Sequence, residues 1–371
     1  MEGIREKAAW ASVIALSLLL IGALAGVVRG GPLDPTGPPG STGKTVITSL
    51  PFTISQPGSY VLNGNLTDNS GDGITILASD VTIDLNGFTL FGQAGAFSGI
   101  SEGGTPTPRK HWTIRNGTID GFPFSGIYAF DVSDSTFENL TLTNNAGDPA
   151  ITARDGVTIR NMTVDNTGNY GIKLGDRGII QNCHIEVSAP SSWAIDIGHE
   201  SLVDGCNVFG NHAAGGGIRV TDSSVVRNCV AADFKVIGIQ VTAATVTGCS
   251  VYDILGPSMA IGIQAVLSVV DSNTISGVEC FSGSGCPNQA QGIIAATGGG
   301  NRIRNNHIFQ ILTENGAAPA YAISIISTHN TVSGNSFTQA ASGIGCTLAP
   351  NDCAPTGQAS TSTNPWLNVS Y

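Results

Sequence analysis

Apolar and small residues recur at a regular spacing through most of this chain. A Gly or Ala followed by Ile returns about every 24 residues, and between two such pairs lies a short segment of alternating apolar and polar residues, such as VTIRNMTV or RIRNNHI. Alternation with a period of two is typical of a half-buried β-strand. The pattern therefore predicts short strands that repeat in every unit. The Gly/Ala-Ile pairs begin at Gly73, Gly99, Gly126, Ala150, Gly171, Ala194, Gly217, Gly238, Gly262, Gly292, Ala322 and Gly343.

Within the alternating segment, one position is always apolar and the position two residues later is usually Asn or Gly. These two residue types tolerate left-handed backbone angles. One such bend in each unit predicts a solenoid whose units stack in register, and three short strands per coil make it a parallel β-helix. The apolar positions are Ile83, Ile114, Phe137, Ile159, Ile180, Val203, Val226, Val246, Val270, Ile303 and Val332. The bend positions are Asn86, Asn116, Asn139, Asn161, Asn182, Gly205, Asn228, Gly248, Ser272, Asn305 and Gly334.

This repeat resembles the right-handed parallel β-helix repeat family of the pectin-lyase-like superfamily, over roughly residues 45–345. The resemblance implies an all-β fold, a right-handed parallel β-helix of about 11–12 coils. It implies no single function, because the superfamily includes pectate lyases, polygalacturonases, alginate epimerases, phage tailspikes and non-catalytic surface proteins. The start of this region, residues 45–67, is expected to cap the first coil. Residues 346–371 are expected to form a C-terminal loop or tail.

The N-terminus carries a targeting signal. Residues 8–28 contain no charge, and Ala-Leu-Ala at 23–25 fits cleavage by a signal peptidase. The apolar run is also long enough to span a bilayer. Residues 1–29 are therefore either a cleaved signal peptide or a retained membrane anchor, and both predict a secreted or cell-surface protein. Residues 30–44 are a Pro/Gly-rich linker.

Composition excludes several classes of protein. The net charge is −11 with 16 Lys and Arg, which argues against a nucleic-acid partner. The 49 glycines have no three-residue period, which excludes collagen. No Gly-rich segment fits a phosphate-binding loop, and no cofactor or metal is expected. Membrane contact is expected only through the N-terminal segment, if it is uncleaved.

The eight cysteines form two groups. Four of them occupy one inward position in consecutive coils, and they are interpreted as small buried thiols, because a line of sulfurs suits tetrahedral zinc poorly. The other four lie in loops, where two local disulfides would fit an exported protein. The inward group is Cys183, Cys206, Cys229 and Cys249, continued by Asn273, Asn306 and Asn335. The expected disulfides are Cys280–Cys286 and Cys346–Cys353.

Charged residues on the alternating strand fall into one outward column in which like charges are never adjacent. Stacked side chains lie about 5 Å apart, where opposite charges stabilise by about 0.2–1 kcal/mol. This column therefore indicates a register-setting ladder. Its members are Asp84, Arg115, Glu138, Arg160, Gln181, Asp204, Arg227, Thr247, Asp271, Arg304 and Ser333.

A second charged group lies on the outward side of the Gly-Ile strand. In enzymes of the family that the chain resembles, polysaccharide binds along this face. Aromatic rings beside polar groups suit sugar faces and hydroxyls, and cations suit a uronate carboxylate. The alternative is a self-neutralising ladder without a ligand. The candidate substrate-binding residues are Tyr128, Tyr170, Lys173, Trp193, Arg219, Gln240 and Gln264.

Candidate catalytic residues lie in the same coils. Asp176 and Asp222 are two coils apart, about 9.6 Å by strand spacing, with His199 between them. Asp196 lies between Lys173 and Arg219, where it is better suited to act as a base than as an acid. The paired-Asp, Gly-His-Gly and Arg-Ile-Lys motifs of polygalacturonases are missing, and Asp-Ile-Gly-His-Glu only loosely resembles the Asp-Pro-His-Glu motif of alginate epimerases.

Two hypotheses remain open at this point. The first is an exported protein that binds an acidic extracellular polysaccharide and, if it is an enzyme, acts as a lyase, glycoside hydrolase or epimerase. The second is a non-catalytic surface or adhesion scaffold. Walls of long loops beside the Gly-Ile strands, for example between Gly262 and Ala322, would favour the first hypothesis.

Overall fold

The computed structural model describes residues 43–104, 107–147, 149–167, 170–190, 193–281, 289–313, 320–340, 342–346 and 369–370. By its contacts the chain divides into Met1–Lys44 and Thr45–Tyr371. The expected signal or anchor segment and the linker up to residue 42 lie outside the described residues. Within the described residues, no helix is long and apolar enough to cross a membrane.

Each coil carries three short strands, which stack on the strands of the next coil to form three faces. In one coil these strands are Ile172–Leu174 on face 1, Ile179–Gln181 on face 2 and His184–Val187 on face 3. All the pairings between successive coils are parallel. The predicted parallel β-helix is therefore confirmed.

Face 1 is a sheet of thirteen described strands. They are Phe52–Ile54, Ile74–Ile76, Ser98–Ser101, Ser125–Ala129, Ile151–Ala153, Ile172–Leu174, Trp193–Ile197, Gly216–Val220, Ile237–Thr242, Ala260–Val266, Ala290–Ala295, Ala320–Ile325 and Ser342–Cys346.

Faces 2 and 3 belong to one larger sheet, because two long strands, Trp112–Asp120 and Thr136–Thr143, run through the bend between them. The other strands of face 2 are Lys44–Ile47, Gly58–Leu62, Val81–Asp84, Thr158–Arg160, Ile179–Gln181, Leu202–Asp204, Val225–Arg227, Thr245–Thr247, Val269–Asp271, Arg302–Arg304 and Thr331–Ser333. The other strands of face 3 are Leu66–Asp68, Thr89–Gly92, Thr163–Thr167, His184–Val187, Asn207–Phe209, Val230–Ala232, Ser250–Gly256, Thr274–Cys280, His307–Thr313 and Ser336–Ala340.

Two short pairings complete the described strands. Val369–Ser370 lies antiparallel to Thr331–Ser333, the last described strand of face 2. Arg109–Lys110 and Val132–Ser133 form a separate two-stranded parallel sheet.

The bend between faces 2 and 3 is left-handed in the coils of the Asn/Gly column, as the column predicts, whereas the first described coil, between Leu62 and Leu66, has no residue of positive φ there. All eleven bend positions, from Asn86 to Gly334, have φ between 53° and 64°. The bend turns the chain between two strands without adding residues. Only Gly and short polar side chains adopt this conformation at low cost, which explains why Asn and Gly predominate at these positions.

A second left-handed bend, between faces 1 and 2, does not follow from the sequence pattern. Residues as different as Arg177 (φ 55°), Glu200 (φ 54°) and Ala243 (φ 47°) occupy it. Buried polar side chains just after this bend link neighbouring coils, for example Ser201 Oγ, which accepts the amide N–H of Gly178 at 3.1 Å. After Ala243, likewise, the amide N–H of Ala244 donates to Ser268 Oγ of the next coil at 3.2 Å, so a hydrogen bond between coils follows the bend without a fixed residue type at it.

The core is filled by the inward side chains of all three faces. The four column thiols are free and at most 2 % exposed, in agreement with their interpretation as packed thiols. A hydrogen bond with Cys183 and, to a smaller extent, burial raise the pKa of Cys206 to about 12, so its thiol stays protonated. Further along, Asn273 and Asn306 replace the thiols, and the Asn273 side chain donates to Asn306 Oδ1 at 3.0 Å. The inward column thus changes from thiols to an amide ladder.

The charged column on face 2 is a ladder of ion pairs between coils. Arg227 donates to Asp204 Oδ2 at 2.8 Å, and the bend residue Asn228 donates to Asp204 Oδ1 at 3.1 Å. The same pairing of an arginine with the carboxylate one coil earlier recurs along the face, so the predicted ladder is confirmed. The other pairs are Arg115–Asp84 at 3.3 Å, Arg160–Glu138 at 2.5 Å and Arg304–Asp271 at 3.0 Å.

A substitution at Gly205 tests the bend column. Gly205 has φ +64°, and an added Cβ would lie 2.8 Å from Asn182 Oδ1. We expect Gly205→Ala to lower the free energy of unfolding by about 1–2 kcal/mol, because Ala resists the left-handed conformation. Gly205→Asn adds the same Cβ but tolerates the angle, so it should cost less. Equal urea midpoints for the two variants would contradict this explanation.

The ladder predicts an acid-dependent loss of stability. The hydrogen bond from Arg227 lowers the pKa of Asp204 below its usual range. The ionised carboxylate therefore stabilises the folded state above pH ~4, and this contribution is lost as the pH falls through the lowered pKa. Urea unfolding of Asp204→Asn between pH 5 and 2 should show a smaller pH dependence than the unchanged protein. Asp165→Asn, at a carboxylate with no ion pair in the described part of the chain, is the control and should retain the full dependence.

Candidate functional site

The outward column of face 1 aligns the predicted binding residues on successive coils. Strand register pairs Tyr128 with Thr152, Thr152 with Lys173, Lys173 with Asp196, and Asp196 with Arg219. The column continues through Gln240 and Gln264. The three-coil register that the sequence predicts is therefore confirmed, and neighbouring members lie about 4.8 Å apart at Cα.

Asp196 and Arg219 form a two-point ion pair at the centre of this column. Arg219 Nε donates to Asp196 Oδ1 at 2.8 Å, and its Nη2 donates to Oδ2 at 2.7 Å. These bonds to Asp196 raise the pKa of Arg219, with a smaller contribution from Tyr170. Of the two cations beside Asp196 in the column, Arg219 and not Lys173 therefore forms the strongest described contact with it.

Each of the two cations of this column contacts an aromatic ring. The guanidinium carbon of Arg219 lies 5.0 Å from the centre of the Trp193 ring, and Lys173 Nζ lies 5.3 Å from the centre of the Tyr170 ring. Distances below about 6 Å are those of cation–π contacts. Lys173 is exposed and makes no ion pair with any described residue.

Gly216 makes room for the Trp193 ring. It pairs with Trp193 of the preceding coil, and an added Cβ would lie 2.5–2.7 Å from three atoms of the indole. The neighbouring coil has Ile237 at the same position. The absence of a side chain at Gly216 lets the indole lie along the sheet surface under Arg219.

The candidate catalytic residues of the turn after face 1 link neighbouring coils. Asp176 Oδ1 accepts the backbone N–H of His199 at 2.9 Å. The His199 ring contacts Asp222 through Nδ1 and Oδ2 at 3.1 Å, with both side chains about half exposed. Asp176 and Asp222 thus both contact His199, one at its backbone and one at its ring. Their catalytic role stays a prediction.

Gln240 and Gln264 extend the column with amide groups. Gln240 Nε2 donates to Gln264 Oε1 at 2.9 Å, and Gln240 is the register partner of Arg219. Amide donors and acceptors therefore follow the ion pair directly, in a position to bind hydroxyl groups. We call Tyr170, Lys173, Trp193, Asp196, Arg219 and Gln240 the charged patch.

Residues 150–306 match the family model described as the right handed beta helix region. This part of the chain is a right-handed β-helix. A search of the curated proteins found no sequence match. The repeat-family resemblance seen in the sequence is therefore supported by a family model and by the fold.

The β-helix is similar to several solved structures. One is the surface adhesin PfbA of Streptococcus pneumoniae, 14% identical over 85% of this chain and 90% of that one, with a TM-score of 0.49. A second is the A-module of the mannuronan C-5 epimerase AlgE6 of Azotobacter vinelandii, 17% identical over 80% and 89%, with a TM-score of 0.46.

A third is the Dettilon tailspike protein gp208, 12% identical over 78% of this chain, with a TM-score of 0.46. The chain spans 58% of the length of that tailspike. At these identities and TM-scores the similarities carry no argument about function, which has to come from the side chains of the β-helix itself.

A group of aromatic side chains along face 1 of the β-helix does not follow from the sequence pattern. Phe97 and Phe124 stack in neighbouring coils with ring centres 4.2 Å apart, and Phe124 contacts Tyr128 at 5.3 Å. Phe130 lies nearly parallel to Tyr128 at 6.4 Å. Only Tyr128 lies in the alternating pattern, which is why the other three rings were overlooked. We call these four residues the aromatic surface.

Other sequence predictions fall on residues that the structure leaves undescribed. Most of the loops that would form a wall between Gly262 and Ala322, residues 282–288 and 314–319, are among them. Cys280 is buried at the end of its strand, whereas Cys286, Cys353 and the side chain of Cys346 are not described. Both disulfides therefore stay predictions.

No metal site appears in the described part of the β-helix. Among those residues, no group of three or more His, Cys, Asp or Glu side chains is arranged to hold a metal ion.

The role of Gly216 can be tested by its coupling to Trp193. Gly216→Ala should lower the free energy of unfolding by about 1–3 kcal/mol, because the new methyl group overlaps the indole. The same substitution in a Trp193→Ala background should cost much less, since the overlapping ring is gone. Urea unfolding of the four proteins measures this coupling. An equal cost in both backgrounds would show that the indole does not depend on Gly216.

Proposed function

We propose that this protein binds an acidic extracellular polysaccharide through the charged patch on face 1. The observation that carries the proposal is the pairing of each cation with an aromatic ring, Lys173 with Tyr170 and Arg219 with Trp193. Aromatic faces bind the apolar faces of sugar rings, and cations bind uronate carboxylates. The patch presents both kinds of group on neighbouring coils.

Lys173 is the group that would bind the carboxylate. It is exposed, and no described residue forms an ion pair with it, whereas Arg219 is already bound at two points by Asp196. Arg219 still has N–H donors beyond those two bonds, which can reach hydroxyl or ring oxygens. Gln240 adds a further amide beside it.

The contacts of the carboxylates favour binding over catalysis. A general base needs a carboxylate that can reach the substrate proton, but Asp196 is held by Arg219 and Asp222 contacts the His199 ring. Asp176 accepts the backbone N–H of His199. Asp196 is bonded at both oxygens, so its use as a base would require substrate to displace Arg219.

The ladder on face 2 favours a second candidate function, a non-catalytic surface scaffold. There, pairs such as Asp204–Arg227 join coils with the same chemistry as Asp196–Arg219. If the face 1 pair is one more register contact, the rod itself is the functional element. The two candidates differ in what Lys173 and Trp193 do, since neither is needed to neutralise a ladder.

The expected export signal in residues 1–29 supports an extracellular location, which the proposal includes. Such a location would give the charged patch access to cell-wall or matrix polysaccharides.

Substitutions in the charged patch test the proposal. We expect the protein to bind polygalacturonate or alginate on a glycan array. Lys173→Ala and Trp193→Ala should each weaken binding about tenfold, because a charge-assisted hydrogen bond or an aromatic contact is lost. Arg227→Ala, which breaks a face 2 ion pair, is the control and should bind normally.

Two results would contradict the proposal. One is a lack of binding to every acidic polysaccharide tested. The other is an equal effect of Lys173→Ala and Arg227→Ala, which would favour the scaffold. A parallel assay for unsaturated, shortened or epimerised products distinguishes an enzyme from a binding protein.

A further inference from the structure

The aromatic surface lies along the face 1 strands Ser98–Ser101 and Ser125–Ala129 and at their ends, with one coil between it and the charged patch. Phe97 and Phe130 are 50% and 59% exposed, which is unusual for side chains of this size. They join Phe124 and Tyr128 in a continuous set of ring contacts across two coils. The fold does not need these rings, because its core is closed beneath them by residues such as Ile127 and Ala129, which have no exposed surface.

Register places the aromatic surface in line with the charged patch. Tyr128, Thr152 and Lys173 are successive members of the outward column, so Tyr128 and Lys173 are about 9.6 Å apart along the solenoid axis. Thr152, between them, is a small residue that neighbouring groups cover, with 5% of its surface exposed. A chain that follows the axis meets both.

The charges beside the aromatic surface do not suit a carboxylate. Arg154, the cation nearest in register, contacts Asp131 at 3.7 Å and Asp155 at 3.9 Å. Asp131 follows Phe130 directly in the chain. An anionic sugar over these rings would therefore meet the carboxylates of Asp131 and Asp155, and Arg154 already contacts both of them.

We propose that the aromatic surface is a second binding site, for uncharged sugar residues of the same polysaccharide whose acidic residues bind the charged patch. This inference rests on the proposed function and adds the class of ligand: a polymer in which uncharged or esterified residues accompany free uronates. Aromatic rings bind the apolar faces of such residues, and the neighbouring carboxylates of Asp131 and Asp155 select against their ionised counterparts.

Two probes separate this site from the charged patch: fully ionised oligogalacturonate and a partly methyl-esterified pectin oligomer of equal length. Affinities are measured by calorimetry with the full chain. Phe130→Ala and Phe97→Ala should each weaken binding of the esterified probe roughly threefold to tenfold and leave the ionised probe nearly unchanged. Phe130→Trp should retain the affinity, and Lys173→Ala should weaken both probes. Leu267→Ala removes an equally exposed apolar side chain from a turn and is the control.

The outcomes distinguish the two proposals. Normal binding of both probes by the two Phe→Ala variants, with weaker binding by Lys173→Ala, would overturn the second site and leave the charged patch intact. An equal loss for both probes would also overturn it, because the rings would then not select uncharged residues. If the unchanged protein binds neither probe, this inference is overturned, while the proposed function is decided by the array of acidic polysaccharides.

Discussion

The structure depends on the parallel hydrogen bonding of each coil to the next at one fixed register. Once that register is set, every side-chain position belongs to a column that runs along the solenoid, and its neighbours lie about 4.8 Å away. The residue type at a position then depends less on its own coil than on the side chains at the same position in the coils before and after it. Thiols stack on thiols, Asn273 hydrogen-bonds to Asn306, and Asp204 pairs with Arg227.

This constraint explains how much could be predicted from the sequence. The bend between faces 2 and 3 was predictable, because a left-handed angle restricts the residue types and the restriction repeats as Asn or Gly. The bend between faces 1 and 2 has the same handedness but accepts Arg177 and Ala243, where the amide that follows the bend donates to a serine of the next coil. Without a residue preference there is no repeating signal to detect.

The candidate site, too, was predictable from the sequence only in part. Alignment of Lys173, Asp196 and Arg219 follows from equal coil lengths, so their order on face 1 was predictable. Which partner Asp196 would bind was not, because both neighbours in the column are cations. In the structure Asp196 pairs with Arg219 through two hydrogen bonds, and Lys173 contacts the Tyr170 ring instead. Side-chain rotamers, and not register, decide that choice.

The contrast between two ion pairs shows how a structural ladder can acquire a binding role. Asp204–Arg227 and Asp196–Arg219 both join neighbouring coils through the same groups at nearly the same distance. They differ in their surroundings, because only Arg219 lies over an indole. That indole lies flat because the next coil has Gly216 where the coil beyond has Ile237. A single missing side chain in one column therefore adds an aromatic face to an ion pair that the fold would form in any case.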